Sequence, residues 1–251
     1  MKTIILGDLH GINAWKLAIS NEKLTKDDRV IFLGDYFDSF DKSLTSTIQI
    51  NNFLDIVEYK KSCEASNGPE VVILIGNHDY HYFKLTFSER CSGYQYLMAS
   101  FISQAIEDNK HHLQIAYQFG DYLCTHAGVS QVFMNSVFGN DGWNLDTICQ
   151  DINELFKHKP KCIAFSPYDI SGYGEDETQS PIWIRPKSLM QANLKSDLEN
   201  SVIQIVGHTG QISINLDSKD INARYHFIDT MNSSGEYLII EDNNLKIGNT
   251  R

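Results

Sequence analysis

Along the first third of the chain, hydrophobic residues fall into three short unbroken runs: KTIIL (2–6), RVIFL (29–33) and EVVILI (70–75). A run without apolar/polar alternation suits a strand buried on both faces, as in a parallel sheet. Between the second and third runs, Leu44, Ile48, Phe53, Ile56 and Val57 recur at helical spacing. The pattern therefore predicts strand, crossover, strand, helix, strand. Residues 94–108 and 144–158 also carry helical periodicity, and LQIAYQFGDYLCTHAG (113–128) predicts a hairpin closed by Gly-Asp. VIQIV, QISINL, YHFID and EYLIIED then follow between turn residues and predict a second, mostly antiparallel sheet. SPYDISGYGEDETQSP (166–181) is rich in Gly, Ser, Asp and Pro and predicts a surface loop long enough to form a rim or lid. No repeat or linker divides the sequence. The simplest assembly is one domain over residues 1–251, an α/β structure of two facing sheets with helices outside.

The polar positions add chemistry to this pattern. Each early strand runs straight into a Gly followed by an acid or amide, giving GDLHG (7–11), GDYFD (34–38) and GNHD (76–79). Loops at the carboxyl ends of parallel strands form the ligand crevice of an open α/β sheet, so these three share one edge. THAG (125–128) and GHTG (207–210) also follow predicted strands. The candidates collected this way are Asp8, His10, Asp35, Asp38, Asn77, His78, His126 and His208. Any one of these loops alone is an ordinary turn with polar fillers. Together they supply hard oxygen donors and imidazoles without cysteine, a mixture that suits Mn²⁺, Fe or Zn²⁺. Two such cations side by side would lower the pKa of a shared water and neutralise phosphate oxygens, which is what in-line attack at phosphorus requires.

Composition narrows the setting. With 251 residues, 42% hydrophobic and 21% charged, the chain can build a sizeable core, and its formal charge of -11 argues against a general nucleic-acid or anionic-membrane surface. No apolar run approaches the ~18 residues of a spanning helix, and MKTIILGDLHG turns polar too soon for a signal-peptide core, so a cytoplasmic location is expected. The five cysteines are odd in number and contain no CxxC, which points to free thiols.

The ordered series GDLHG, GDYFD, GNHD, THAG and GHT resembles the calcineurin-like metallophosphoesterase superfamily, over residues 7 to 209. SPIWIRP (180–186) and HFIDT (226–230) resemble segments of its phosphoprotein phosphatase branch, which also contains symmetrical diadenosine tetraphosphate hydrolases. The resemblance implies a four-layer αββα sandwich of two mixed sheets flanked by helices. It implies hydrolysis of a phosphate ester or phosphoanhydride by a hydroxide bridging two divalent ions, Mn²⁺ first, with Fe or Zn²⁺ as alternatives. Asp8 and His10 would hold one ion, Asp35 would bridge, and Asn77, His126 and His208 would hold the other. His78 would be the general acid, Asp38 would orient it, and Arg185 would steady the phosphoryl oxygens. The substrate would be a phosphorylated small molecule, nucleotide or phosphoprotein. The rival reading is a metal-binding scaffold that recruits a partner.

Departures from the pattern matter too. Gly210 stands where many superfamily members have a second His, and Ser39 and Ile75 stand where the phosphatase branch usually has arginines. His81, Tyr80 and Tyr82 are expected to pack rather than act, His111 and His112 to be solvated, and Trp143 and Trp183 to pack.

Overall fold

Strands without alternation need both faces covered, and the computed structural model, which describes residues 1–84, 91–216 and 224–251, covers them with a second sheet on one side and helices on the other. The first sheet has the order β10-β9-β1-β2-β3-β4. Its strands are β1 (Lys2–Leu6), β2 (Arg29–Phe32), β3 (Glu70–Leu74), β4 (Leu113–Gln114), β9 (Glu236–Glu241) and β10 (Asn244–Asn249). The second has the order β5-β6-β7-β8, from β5 (Ala116–Phe119), β6 (Tyr122–Thr125), β7 (Ile203–Val206) and β8 (Tyr225–Phe227). Ile5, Ile31, Leu33, Val72 and Leu74 point into the space between the sheets, where they meet Cys124, Ile205 and Ile228. Their neighbours Ile4, Leu6, Val30, Phe32, Val71 and Ile73 point outward and are covered by α1 (Trp15–Glu22), α2 (Ser46–Ser66) and α4 (Ala99–Asn109). The short α3 (Asn77–Tyr80) follows β3 directly. α5 (Gln131–Phe138), α6 (Ile148–His158), α7 (Pro186–Asn193) and α8 (Asp197–Ser201) complete the helices, with α6 against β5 and α7 reaching Tyr225 of β8 through Leu189. The chain thus forms two mixed sheets flanked by helices, the expected sandwich. Among the described residues no helix is long and apolar enough to cross a membrane.

Several expectations need correction. The second sheet is not mostly antiparallel: only β5 and β6, joined by the short Gly120-Asp121 turn, run antiparallel, while β6, β7 and β8 are parallel. Parallel neighbours need long crossovers, and residues 126–202 supply the first of them. EYLIIED belongs to the first sheet, antiparallel to β1, because Leu238 and Ile240 complete the layer between the sheets. QISINL forms no strand; Gln211 N is taken by Asp229 O and Ile214 N by a Glu236 carboxylate oxygen, so no ladder can form. The start of the predicted hairpin, Leu113–Gln114, pairs with β3 in the first sheet, and the chain changes sheets at Ile115. Helix α4 begins only at Ala99, leaving Tyr94 to Met98 outside it. On α2, Ile48 is exposed and the buried face includes Gln49 and Asn52, because Asn52 bonds Ile12 O and the Trp15 indole while Gln49 bonds Leu44 O and Gln95.

The 166–181 segment is built around one side chain. Asp169 accepts from Ser171 N and Oγ, from Gly172 N, Gly174 N and Asp176 N, and from Gln179 Nε2. Burial works against ionisation, but the bonds from Ser171 and Gln179 outweigh it and hold this carboxyl well below the usual carboxylate range. A depressed pKa means that the stabilisation is complete at neutral pH and fades only as pH falls below the ordinary carboxylate value of about 3.9 toward the folded one. Asp169→Ala is therefore expected to speed proteolytic cutting within 166–181 at pH 7 with little change in global melting. Unchanged digestion would show that the loop is held by other contacts.

Candidate metal centre

The site is built where the strands end. Of the nine non-glycine residues with positive φ among those described, four are His10, Asp35, Asp38 and His208; most of the others lie at helix ends and the β9–β10 turn. Such backbone costs on the order of 1–3 kcal/mol per residue and persists only where the surroundings over-determine it. Each fully buried Ile or Leu beneath contributes roughly 1.5–3 kcal/mol, so the two-sided core readily carries four strained loops.

Two glycines are required by carboxylates rather than by turn geometry. Gly76 is extended, with φ -99 and ψ 176, so tight turning is not its role. A Cβ there would lie 2.0 Å from Asp35 Oδ1, and one at Gly207 would lie 2.1 Å from Asp8 Oδ1. Each carboxylate rests directly on a glycine of a neighbouring loop. Backbone amides then orient them: His78 N donates to Asp35 Oδ1 at 2.9 Å, and His208 N to both Asp8 oxygens at 3.0 and 3.1 Å. Gly76→Ala should displace Asp35 by more than an ångström, lowering kcat/KM roughly 10²-fold while far-UV circular dichroism stays unchanged. Wild-type kcat/KM in this variant would show that Asp35 need not sit there.

The structure brings Asp8, His10, Asp35, Asn77, His126 and His208 together. One ligand atom from each of Asp8, His10 and Asp35 lies within 4.8 Å of the others. Asn77 Oδ1 is 3.0 Å from His126 Nε2 and 2.9 Å from His208 Nδ1, and Asp35 Oδ2 is 3.4 Å from His126 Nε2 and 3.8 Å from His10 Nε2. Asp35 thus lies between the two groups. Asn77 Nδ2 points at Cys91 Sγ, 3.4 Å away, which turns its oxygen toward the imidazoles.

The ring nitrogens indicate what this arrangement fits. His10 Nδ1 faces Phe37 O at 2.6 Å, His126 Nδ1 faces Leu33 O at 2.9 Å, and His208 Nε2 faces Trp183 O at 3.0 Å. A carbonyl only accepts, so these nitrogens carry the protons. In each neutral ring the other nitrogen is then a lone pair directed at carboxylate or amide oxygen. Lone pairs facing oxygens repel unless a cation lies among them. Asp8 shows the same shortage of positive charge: burial, then Asp229, push its carboxyl well above the usual range. Burial opposes a second proton on His126, yet Asp35 and Asp8 push its pKa up to about 10, so these carboxylates draw positive charge onto that ring. The residues present therefore fit divalent cations, with second nitrogens anchored in the manner of metal-bound histidines.

Beside this cluster lies a second group centred on Asp38. His78 Nδ1 is 3.0 Å from Asp38 Oδ2, and Tyr82 Oη and Gln95 Nε2 donate to Oδ1 at 2.5 and 3.0 Å. His81 Nε2 lies 2.8 Å from Oδ2, at ion-pair distance though off its N–H axis. Burial lowers the His78 pKa, but Asp35 and the bond to Asp38 raise it further, so the net shift is upward. His81 and Tyr82 are fully buried, as expected of packing residues, but they also approach or bind Asp38, which was not foreseen, and neither was Gln95. Their sequence spacing has no period, and only the fold brings them to Asp38. Asp79 was also passed over. It accepts from Gly76 N, Asp35 N and Tyr36 N at 2.7 to 2.9 Å, tying two ligand loops together. Its place three residues after Gly76 is the capping-box spacing that could have revealed it.

Arg185 reaches the same region. Its Nη1 donates to His208 O and Thr209 Oγ1 and its Nε to Tyr173 O, leaving Nη2 without a partner among the described residues. Ile75 is fully buried in the core, which leaves no room there for an arginine head group, whereas Ser39 is half-buried. Trp183 packs edge-on against Phe165, and Trp143 bonds Asn135.

With the geometry established, comparisons place it among known proteins. The family model of calcineurin-like phosphoesterases matches residues 1–211. No curated protein matches the chain in a sequence comparison. The cold-active protein-tyrosine phosphatase of a psychrophilic Shewanella species is similar in structure, with a TM-score of 0.66 at 17% identity, covering 99% of this chain and 78% of its own. A putative diadenosine tetraphosphatase aligns with a TM-score of 0.51 at 13% identity over 98% of this chain and 92% of its own. A protein serine/threonine phosphatase from Saccharomyces cerevisiae gives 0.50 at 13% identity over 99% and 79%. At such identities these likenesses bear on the fold alone.

Proposed function

Since the chain belongs to the calcineurin-like phosphoesterase family and is thus a metal-dependent hydrolase of phosphoester bonds, we propose that it works through a two-cation centre with His78 as proton donor. Asp8, His10 and Asp35 would hold one ion, and Asp35, Asn77, His126 and His208 the other. The observation that carries this reading is the set of three imidazoles, each anchored to a backbone carbonyl and each aiming its free nitrogen at carboxylate or amide oxygen. Bound there, two divalent cations lower the pKa of a shared water and neutralise phosphoryl charge.

The protein's own groups do the rest. Asp38 fixes His78 through Nδ1 and supports its charged form, leaving Nε2 to protonate the departing oxygen. The His78 side chain is 12% exposed, open enough to meet a substrate yet shielded enough to keep its orientation. Arg185 offers its unpartnered Nη2 to a phosphoryl oxygen, and its bonds to His208 O and Thr209 hold it beside the ligand loop. Mn²⁺ suits the mixed oxygen and imidazole donors, with Fe or Zn²⁺ as the alternatives. The substrates would be phosphate monoesters or anhydrides, carried on protein or nucleotide. Metal-stripped protein reconstituted with Mn²⁺ should hydrolyse p-nitrophenyl phosphate, a phosphopeptide or a dinucleoside polyphosphate. Inactivity on all of them, together with bound metal, would instead favour the scaffold reading.

A further inference from the structure

The geometry points to Asp229 as a further protein group of the cation position at Asp8 and His10, contributing its carboxylate from the side left open by Gly210. This inference rests on the two-cation reading and adds a residue to it. Asp229 lies two residues beyond β8, and β8 runs parallel to β7, whose end carries Gly207, His208 and Gly210. The register therefore delivers Asp229 to the same edge as the other ligand loops. Gly7, immediately before Asp8, packs on it: a Cβ at Gly7 would lie 2.3 Å from Ile228 O and 3.1 Å from the Asp229 Cα. That contact sets Asp229 beside Asp8.

Gly210 defines the direction. A Cβ built there meets nothing within 4 Å except Asp229 Oδ2, at 3.8 Å. The space that a side chain at 210 would enter is thus the space the Asp229 carboxylate faces. Among the described residues its carboxylate has no hydrogen-bond or ion-pair partner. A half-buried carboxylate set against two other acids without a donor is costly unless a cation compensates it. It adds negative charge where the Asp8 group has fewest protein donors.

The test is calorimetric titration of metal-stripped protein with Mn²⁺. Asp229→Asn keeps the shape of the side chain and removes its charge. It should weaken one of the two binding events about 10–100-fold and leave the other near wild type. Gly210→His combined with Asp229→Ala should recover most of that affinity, since an imidazole from 210 enters the same space; a merely structural role for Asp229 would not be rescued. Unchanged affinities in Asp229→Asn, with binding lost in Asp8→Asn, would overturn the role of Asp229 alone. Unchanged binding in both variants would overturn the two-cation reading and this inference with it.

Discussion

Replacing His78 by Asn is expected to lower kcat roughly 10²–10⁴-fold, the span for losing general acid catalysis, while leaving close to two metal ions bound. The reason is positional. His78 is not among the side chains converging on Asn77 Oδ1 and Asp35 Oδ2; its ring is bound to Asp38 and packs edge-on against His10 at 5.2 Å. Its backbone N–H, which orients Asp35, survives the substitution. The defect should shrink for esters whose leaving group departs well without a proton. A loss equal for good and poor leaving groups, or a stripped metal, would remove His78 from the role of acid.

Asp35→Asn should behave in the opposite way. Asp35 sits between the two halves of the centre, with Oδ2 between His126 and His10. Burial opposes its ionisation, but His126 and His78 hold it well below the usual carboxylate range, so it is the anion around which the others are arranged. Asparagine keeps the shape and one oxygen but removes the charge. Metal affinity should fall by at least the 10–100-fold that losing a supporting partner costs, and activity should fall with it at every leaving group. Metal analysis by mass spectrometry beside a leaving-group series separates the two variants. Full occupancy in Asp35→Asn would mean that the carboxylate does not serve both ions.

How legible this was depended on distance along the chain. Asp8, His10, Asp35, Asn77, His126 and His208 could be singled out because each lies close to a glycine that follows a strand, and both signals are local. The sheet pairing of residues 2–33 and 70–75 was readable for the same reason, since aliphatic runs buried on both faces look alike wherever they occur. The cradle of Asp38 was not readable. His81 and Tyr82 leave a single short turn and Gln95 a non-helical stretch, and they converge through tertiary contacts that no periodicity records. The reason for Gly76 was equally out of reach of local pattern: its lack of a Cβ makes room for a carboxylate 41 positions earlier. Strand assignment failed where partners were remote, as with EYLIIED, which closes the first sheet against the start of the chain.

The most direct test of the two-cation centre is stepwise addition of Mn²⁺ to metal-stripped protein, with p-nitrophenyl phosphate hydrolysis followed at each step. Two equivalents should bind, and most of the activity should appear only as the second is taken up. Full activity in the stripped protein, or at a single equivalent, would contradict the account.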